Sequence, residues 1–297
     1  HCRDGSCSQT ACSTRGVAAV RNTSVSIRQR VALATVALLT TILVGCASID
    51  TTSGGAVGVQ RKQWMSNMVP AAEVNQAAAQ QYSEILAAAR KQGKLDANAA
   101  QTQRAQNIMR RLVQQVGTFR ADAQGWPWEI HVIDDPQVNA WCMPNGKMAV
   151  YSGLITKLQL TDDELAAVIG HEIAHALREH AREQLSQQMA TQVGLSVLSA
   201  ILGSPAVGDL GSTLTDVVIN LPNSRTHEAE ADRIGVELAA RAGYDPRAAV
   251  TVWQKMARIG GSAGPEFLST HPSAASRISD LEQASQRVMP LYEANKR

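Results

Sequence analysis

Two histidines and a glutamate in His171-Glu172-Ile173-Ala174-His175 are the residues of this chain best suited to chemistry, and Glu228-Ala229-Glu230-Ala231-Asp232 follows further along. On a helix, residues four apart stand one above the other on the same face, so His171 and His175 can aim two imidazoles at one metal ion. Glu172 lies one residue round from His171, within reach of a water beside that ion. Zinc accepts imidazole nitrogen and carboxylate oxygen, and a catalytic zinc site takes three protein ligands and keeps one position open. The residue types therefore point to Zn2+, one ion per chain, with Glu172 as the catalytic base.

These side chains need two elements to hold them. Thr161-Asp162-Asp163-Glu164 reads as a capping box, with Thr161 as N-cap and Glu164 at the third helical position. From there the spacing predicts a helix through both histidines. Leu165, Ile169, Ile173, Ala176 and Leu177 form its apolar face, and Val168, His171 and His175 fall on the other side. The same wheel turns His180 away from the metal pair. A third ligand must come from a second element. Asn223-Ser224 supplies an N-cap and Gly243 a stop for a helix over residues 225–242. On it Glu228 and Asp232 share a face with Gly235 and Ala239, small residues that let this helix pack closely on the histidine helix. Glu228 is then the third ligand, and Asp232, one turn on, is placed to hold the outer N–H of a ligand histidine. His227 and Glu230 point elsewhere and are expected on the solvated surface.

HEIAH followed by EAEAD resembles the gluzincin metallopeptidases related to HtpX and the CaaX prenyl proteases, in their periplasmic LoiP/BepA-type lipoprotein branch. The resemblance covers about residues 128–277, through Asn139-Ala140-Trp141, Pro144-Asn145-Gly146, Tyr151-Ser152-Gly153-Leu154, Ser224-Arg225 and Thr270-His271-Pro272. It implies a zinc endopeptidase in which the glutamate of the ExxxD motif, here Glu228, is the third ligand, in agreement with the spacing. It implies an edge strand of Asn139, Ala140, Trp141, Cys142 and Met143 that pairs with extended substrate through main-chain hydrogen bonds. The alternative is a hairpin that touches no substrate. It also implies that His271, kept extended by Pro272, can take the fourth zinc position in a latent state; otherwise His271 is a loop residue that caps a helix or meets substrate. The implied substrates are unfolded or misassembled outer-membrane proteins, and the implied role is envelope quality control.

Two rival functions stand beside this one. A periplasmic chaperone or assembly factor for outer-membrane proteins would have no use for Glu172, and a purely structural zinc site would close its fourth position with Cys or His. Arg225, Tyr244 and His271 are the candidates by residue type for stabilising an oxyanion.

At 297 residues and 44% apolar content the chain can bury a sizeable core. Its net charge of +2 and scarce aromatics give no nucleic-acid signal. Residues 1–45 read as an extension plus a lipoprotein signal peptide that is removed. Arg21, Arg28 and Arg30 precede an apolar run over residues 31–44, too short for a membrane span and suited to a signal peptide. Leu43-Val44-Gly45-Cys46 resembles a lipobox, which makes Cys46 the lipidation site and the periplasmic face of the bacterial outer membrane the expected address. An uncleaved anchor with a chance cysteine is the alternative. Cys142 then stands alone, without a disulfide partner. Residues 46–63 are expected to be a flexible tether, and residues 64–297 a single peptidase domain.

The expected fold class is α+β and mostly helical: a zincin-type metalloprotease with its active-site helix packed under a small antiparallel β-sheet. Helices are expected over residues 70–92 and from Asp96 to near Gly117, then strands over 128–133, 138–143 and 147–152, with Asn145-Gly146 as a hairpin signal. Residues 184–221 are either a helical lid over the cleft or a helical pair completing the core. Asp245-Pro246 starts a helix to Arg258, and a last helix runs from Ser273.

Overall fold

The computed structural model describes residues 46–202, 210–259, 266–272 and 276–296, and the side chains of these except Cys46 and residues 192–202. The leader, the lipobox residues before Cys46 and the start expected at Ser273 lie outside them. Two short strands, β1 (Cys46–Ile49) and β2 (Gln63–Ser66), pair antiparallel, with Cys46 opposite Ser66 and Ile49 opposite Gln63. Helices α1 (Ala71–Lys91) and α2 (Ala99–Val113) follow, then strands β3 (Glu129–Ile133), β4 (Ala140–Met143) and β5 (Lys147–Tyr151). The remaining helices are α3 (Ser152–Lys157), α4 (Asp162–Leu177), α5 (His180–Leu202), α6 (Leu210–Thr215), α7 (Arg225–Arg241), α8 (Ala248–Ile259), α9 (Glu266–Thr270) and α10 (Arg277–Asn295). The α+β, mostly helical class is as expected. Among the described residues, no helix is long and apolar enough to cross a membrane.

Local chemistry sets the element ends. Asn98 caps α2 by accepting from Gln101 N–H, and Gly93 ends α1 at φ 68°. The capping box at α4 is complete: Thr161 Oγ1 accepts from Glu164 N–H, and Thr161 N–H donates to Glu164 Oε2. Ser224 Oγ caps α7 by accepting from His227 N–H. Gly243, at φ 75°, follows its end.

The three-stranded sheet is mixed, where an antiparallel one was expected. β4 and β5 form the antiparallel hairpin, turned by Asn145 and Gly146 at φ 65° and 80°. β3 lies on the far side of β5 and parallel to it, so β5 inserts between two strands that are consecutive in sequence. β4 is consequently an edge strand. Side chains alternate across the sheet. Ile130, Val132, Ala140, Cys142, Met148 and Val150 enter the main core with α2, α4, α7, α8 and α10, while Ile133, Trp141, Met143 and Ala149 enter a second apolar cluster with α1. Both faces are covered, which explains why β4 is apolar along its whole length.

The tether expected over residues 46–63 is instead built into the protein. Val57 and Val59 are buried in the main core. Ser53 N–H donates to Phe119 O, Val57 N–H to Glu237 Oε2, and Arg178 reaches Thr52 Oγ1 and Arg61 O. Arg178 and Glu237 are both fully buried, and a buried charge needs partners. This strap supplies some of them, beside Glu230 for Arg178 and Arg241 for Glu237. Of residues 184–221, Leu185, Leu214 and Val217 complete the second cluster. Val217 and Val218 also border a cavity of about 30 Å³ beside Glu172, His175 and His271.

Candidate metal centre

Helices α4 and α7 meet at two glycines. A Cβ on Gly235 would stand 2.7 Å from His171 N, and one on Gly170 would stand 3.0 Å from Gly235 O. This contact brings Glu228 under the two histidines. His171 Nε2 and His175 Nε2 are 3.0 Å apart, Glu228 Oε2 is 3.4 Å from the first and Glu228 Oε1 3.3 Å from the second. With His271 they form a buried group whose four ligand atoms all lie within 4.8 Å of one another.

The group fits a metal ion. Among the described side chains, both Glu228 oxygens and Glu172 Oε1 are buried without an aligned hydrogen bond, a costly arrangement unless something else meets them. Three imidazole nitrogens and a carboxylate converging on one point are the donor set zinc takes. Burial lowers His175 to about 4, against the pull of Glu228, which leaves its ring neutral with a lone pair to offer. Burial also presses His171 down, but Asp232 and Glu228 outweigh it and raise it to about 9. A metal ion taken up there would displace that proton.

Asp232 Oδ1 lies 2.9 Å from His171 Nδ1, behind the ring. Burial opposes its charge, yet Arg277 and His171 hold it below the ordinary carboxylate value. Burial lifts Glu172 to about 8, against the opposing charge of His171. Cys142 and Glu172 line one cavity, which places edge strand β4 alongside Glu172. All of Asn139, Ala140, Trp141, Cys142 and Met143 are buried. Burial, aided by Glu172, drives the Cys142 thiol well above its ordinary value, so it packs as an apolar residue. His271 Nε2 sits 3.2 Å from Glu172 Oε1, and its ring stacks on Phe267 at 4.1 Å.

Three residues of this region were not legible as site residues. Arg277, at the start of α10, clasps Asp232 with Nε and Nη2 at 2.6 and 2.8 Å and places Nη1 2.7 Å from Glu228 Oε2. A single arginine in a C-terminal helix carries no motif. Glu230 was expected on the surface, yet it is buried. His180, expected on the apolar side and not as a ligand, is buried and outside the ligand group. It lies against His175 and not away from it, with Nδ1 2.9 Å from His175 Nδ1. The wheel fails at His180 because Glu179 takes φ 50°, which breaks α4 and starts α5 in a new direction. His227 is buried as well, covered by α5. Of the oxyanion candidates, Arg225 is exposed and Tyr244 stacks under Arg111 at 4.0 Å, so only His271 lies in the centre.

Comparison with known proteins agrees with this geometry. The chain is 41% identical over 162 residues to the mitochondrial metalloendopeptidase OMA1 of Arabidopsis thaliana, covering 54% of this chain and 32% of that one. It is 28% identical over 244 residues to the metalloprotease LoiP of Escherichia coli, covering 81% and 91%. It is 31% identical over 199 residues to the beta-barrel assembly-enhancing protease of Yersinia pestis, covering 64% and 40%. The matched stretch thus spans only about a third of the Arabidopsis relative and nearly all of LoiP. The model of one peptidase family matches residues 99–285, from α2 to the middle of α10 and with every residue of the metal group inside it. The chain belongs to Peptidase family M48.

Proposed function

We propose that the protein is a zinc-dependent endopeptidase whose ion is held by His171, His175 and Glu228. The observation that carries this reading is the buried His–His–Glu–His group with Glu172 beside it. Bound zinc supplies a Lewis acid for the scissile carbonyl and makes water nucleophilic near neutral pH. Glu172 takes the proton from the attacking water at its carboxylate and passes it to the leaving amine. Asp232 fixes the His171 ring, and Arg277 fixes Asp232. Strand β4 offers the edge along which an extended substrate lies.

His271 is the latent fourth ligand in this reading. It belongs to the same donor group, where it competes for the position that water needs. The protein substrates are unfolded or misassembled outer-membrane proteins, and the chain is lipidated at Cys46 and held on the periplasmic face of the outer membrane. Support for this address comes from the lipobox-like Leu43-Val44-Gly45-Cys46 and from a LoiP match over most of both chains. A chaperone with little proteolysis is the rival.

Two variants test the site. Glu172→Gln keeps its zinc and loses at least ~10²-fold in casein cleavage, the low end of general-base contributions. Glu228→Ala lowers zinc content measured by metal analysis. Parent-like cleavage in the first, or full zinc in the second, overturns the assignment.

A further inference from the structure

We infer that His180 is a positioning residue for the metal centre: it fixes the tautomer and ring angle of His175, and Glu230 in turn fixes His180. This rests on His175 being a zinc ligand, as proposed above. His180 Nδ1 lies 2.9 Å from His175 Nδ1, and His180 Nε2 lies 3.1 Å from Glu230 Oε2. The protons follow from chemistry. A carboxylate only accepts, so the hydrogen between His180 and Glu230 belongs to His180 Nε2. A neutral imidazole carries one N–H, which leaves His180 Nδ1 as an acceptor. The hydrogen between the two rings therefore sits on His175 Nδ1. His175 Nε2 is left with its lone pair, and that is the atom that faces Glu228 and His171.

The two ligand histidines are thus supported differently. His171 backs directly onto a carboxylate, Asp232, whereas His175 backs onto a second imidazole with a carboxylate behind it. Glu230 is held in place for this task. Arg178 Nε donates to its Oε2 at 3.0 Å and Arg61 Nε to its Oε1 at 2.6 Å. The His180 ring also stacks on His227 at 4.3 Å, 11° from parallel, and His227 is paired with Glu183. Every one of these histidines and glutamates is buried, so water does not substitute for the contacts. Arg61 belongs to the strap between β1 and β2, which gives that segment a hand in the metal centre.

The test uses the full chain and reads zinc affinity by competition with a chromophoric chelator. His180→Leu removes the acceptor while leaving an apolar group against His227, and its zinc Kd rises by about 10–100-fold, the usual cost of losing such a partner. His180→Asn keeps an acceptor oxygen near the Nδ1 position and recovers most of that loss. The visible spectrum of the cobalt-loaded His180→Leu protein changes, because the ring of one ligand is no longer fixed. A second measurement needs no variant: two-bond proton–nitrogen NMR on histidine-labelled parent protein shows His180 protonated at Nε2 and bare at Nδ1. Parent-like zinc affinity in a folded His180→Leu protein overturns the inference, as does a His180 ring protonated at Nδ1. His175→Ala separates the two levels. If it keeps full zinc, the ligand assignment fails and the inference with it; if it loses zinc while His180→Leu does not, only the inference fails.

Discussion

Replacing Gly235 by alanine should dismantle the metal centre while leaving every ligand side chain unaltered in kind. The added Cβ would stand 2.7 Å from His171 N and 2.9 Å from both Gly170 C and His171 Cα, all backbone atoms of α4 that no rotamer change can move. Ordinary contact begins at 3.4 Å, so restoring it moves α7 off α4 by about 3.4 − 2.7 = 0.7 Å. Glu228 lies two turns before Gly235 on the same helix, about 10 Å along its axis, and a helix this short moves largely as a rod. Metal–ligand distances tolerate only about ±0.2 Å. A displacement of the Glu228 carboxylate several times larger weakens zinc binding by at least ~10-fold, comparable to losing a supporting partner. Overpacking of this kind also costs about 1–3 kcal/mol, which for a domain of this size lowers Tm by roughly 2–12 °C. Chelator competition and calorimetry of the metal-free protein measure the two effects separately. Gly125→Ala is the control, because no atom lies within 4 Å of the Cβ it would add. If Gly235→Ala binds zinc and unfolds like the parent, the close approach of α4 and α7 does not position Glu228, and the reasoning is refuted.

Three further outcomes are expected. His271→Ala raises basal casein cleavage with zinc content unchanged; unchanged or reduced cleavage would leave His271 as a loop or substrate contact. Cys46→Ser abolishes incorporation of radioactive palmitate and releases the protein from the outer-membrane fraction, and persistent labelling would refute the lipobox reading. Glu183, buried but hydrogen-bonded by Arg61, His227 and Gln63, is held well below the ordinary carboxylate value. A depressed folded value contributes stability above the unfolded one, about 4.3, and loses it as pH falls below that point. Urea unfolding of the metal-free protein from pH 7 to 3 should therefore show a shallower acid limb in Glu183→Gln, and an unchanged limb would count against the network.

What the sequence revealed was local. His171, Glu172 and His175 share one helix, and Glu228 and Asp232 share another, so a repeat of four and two caps were enough to bring them to one point. Contributions from elsewhere carried no such signal. Arg277 reaches Asp232 from α10, and Arg61 reaches Glu230 from the N-terminal strap, across separations no periodicity reports. His180 was misplaced for a different reason. A helical wheel assumes the helix continues, and the left-handed turn at Glu179 ends it. The sheet order was hidden too, because hairpin signals mark β4 and β5 as neighbours but do not say which side β3 joins. The strap looked like a tether because Thr51-Thr52-Ser53-Gly54-Gly55 has the composition of one. The buried charges it partners, Arg178 and Glu237, and its own buried Val57 and Val59 show otherwise.

That strap alters the mechanics of an enzyme attached at Cys46. A free chain of 18 residues would let the body roam over roughly 20–25 Å and tumble at will. Here Cys46 is already the first residue of β1, laddered to Ser66, and the segment behind it is stitched to the body at Phe119, Arg178 and Glu237. Acyl chains on Cys46 would make a pivot mount with almost no leash. The cleft would then ride at a fixed height and tilt above the bilayer, and only polypeptide emerging within that shallow layer could be cut.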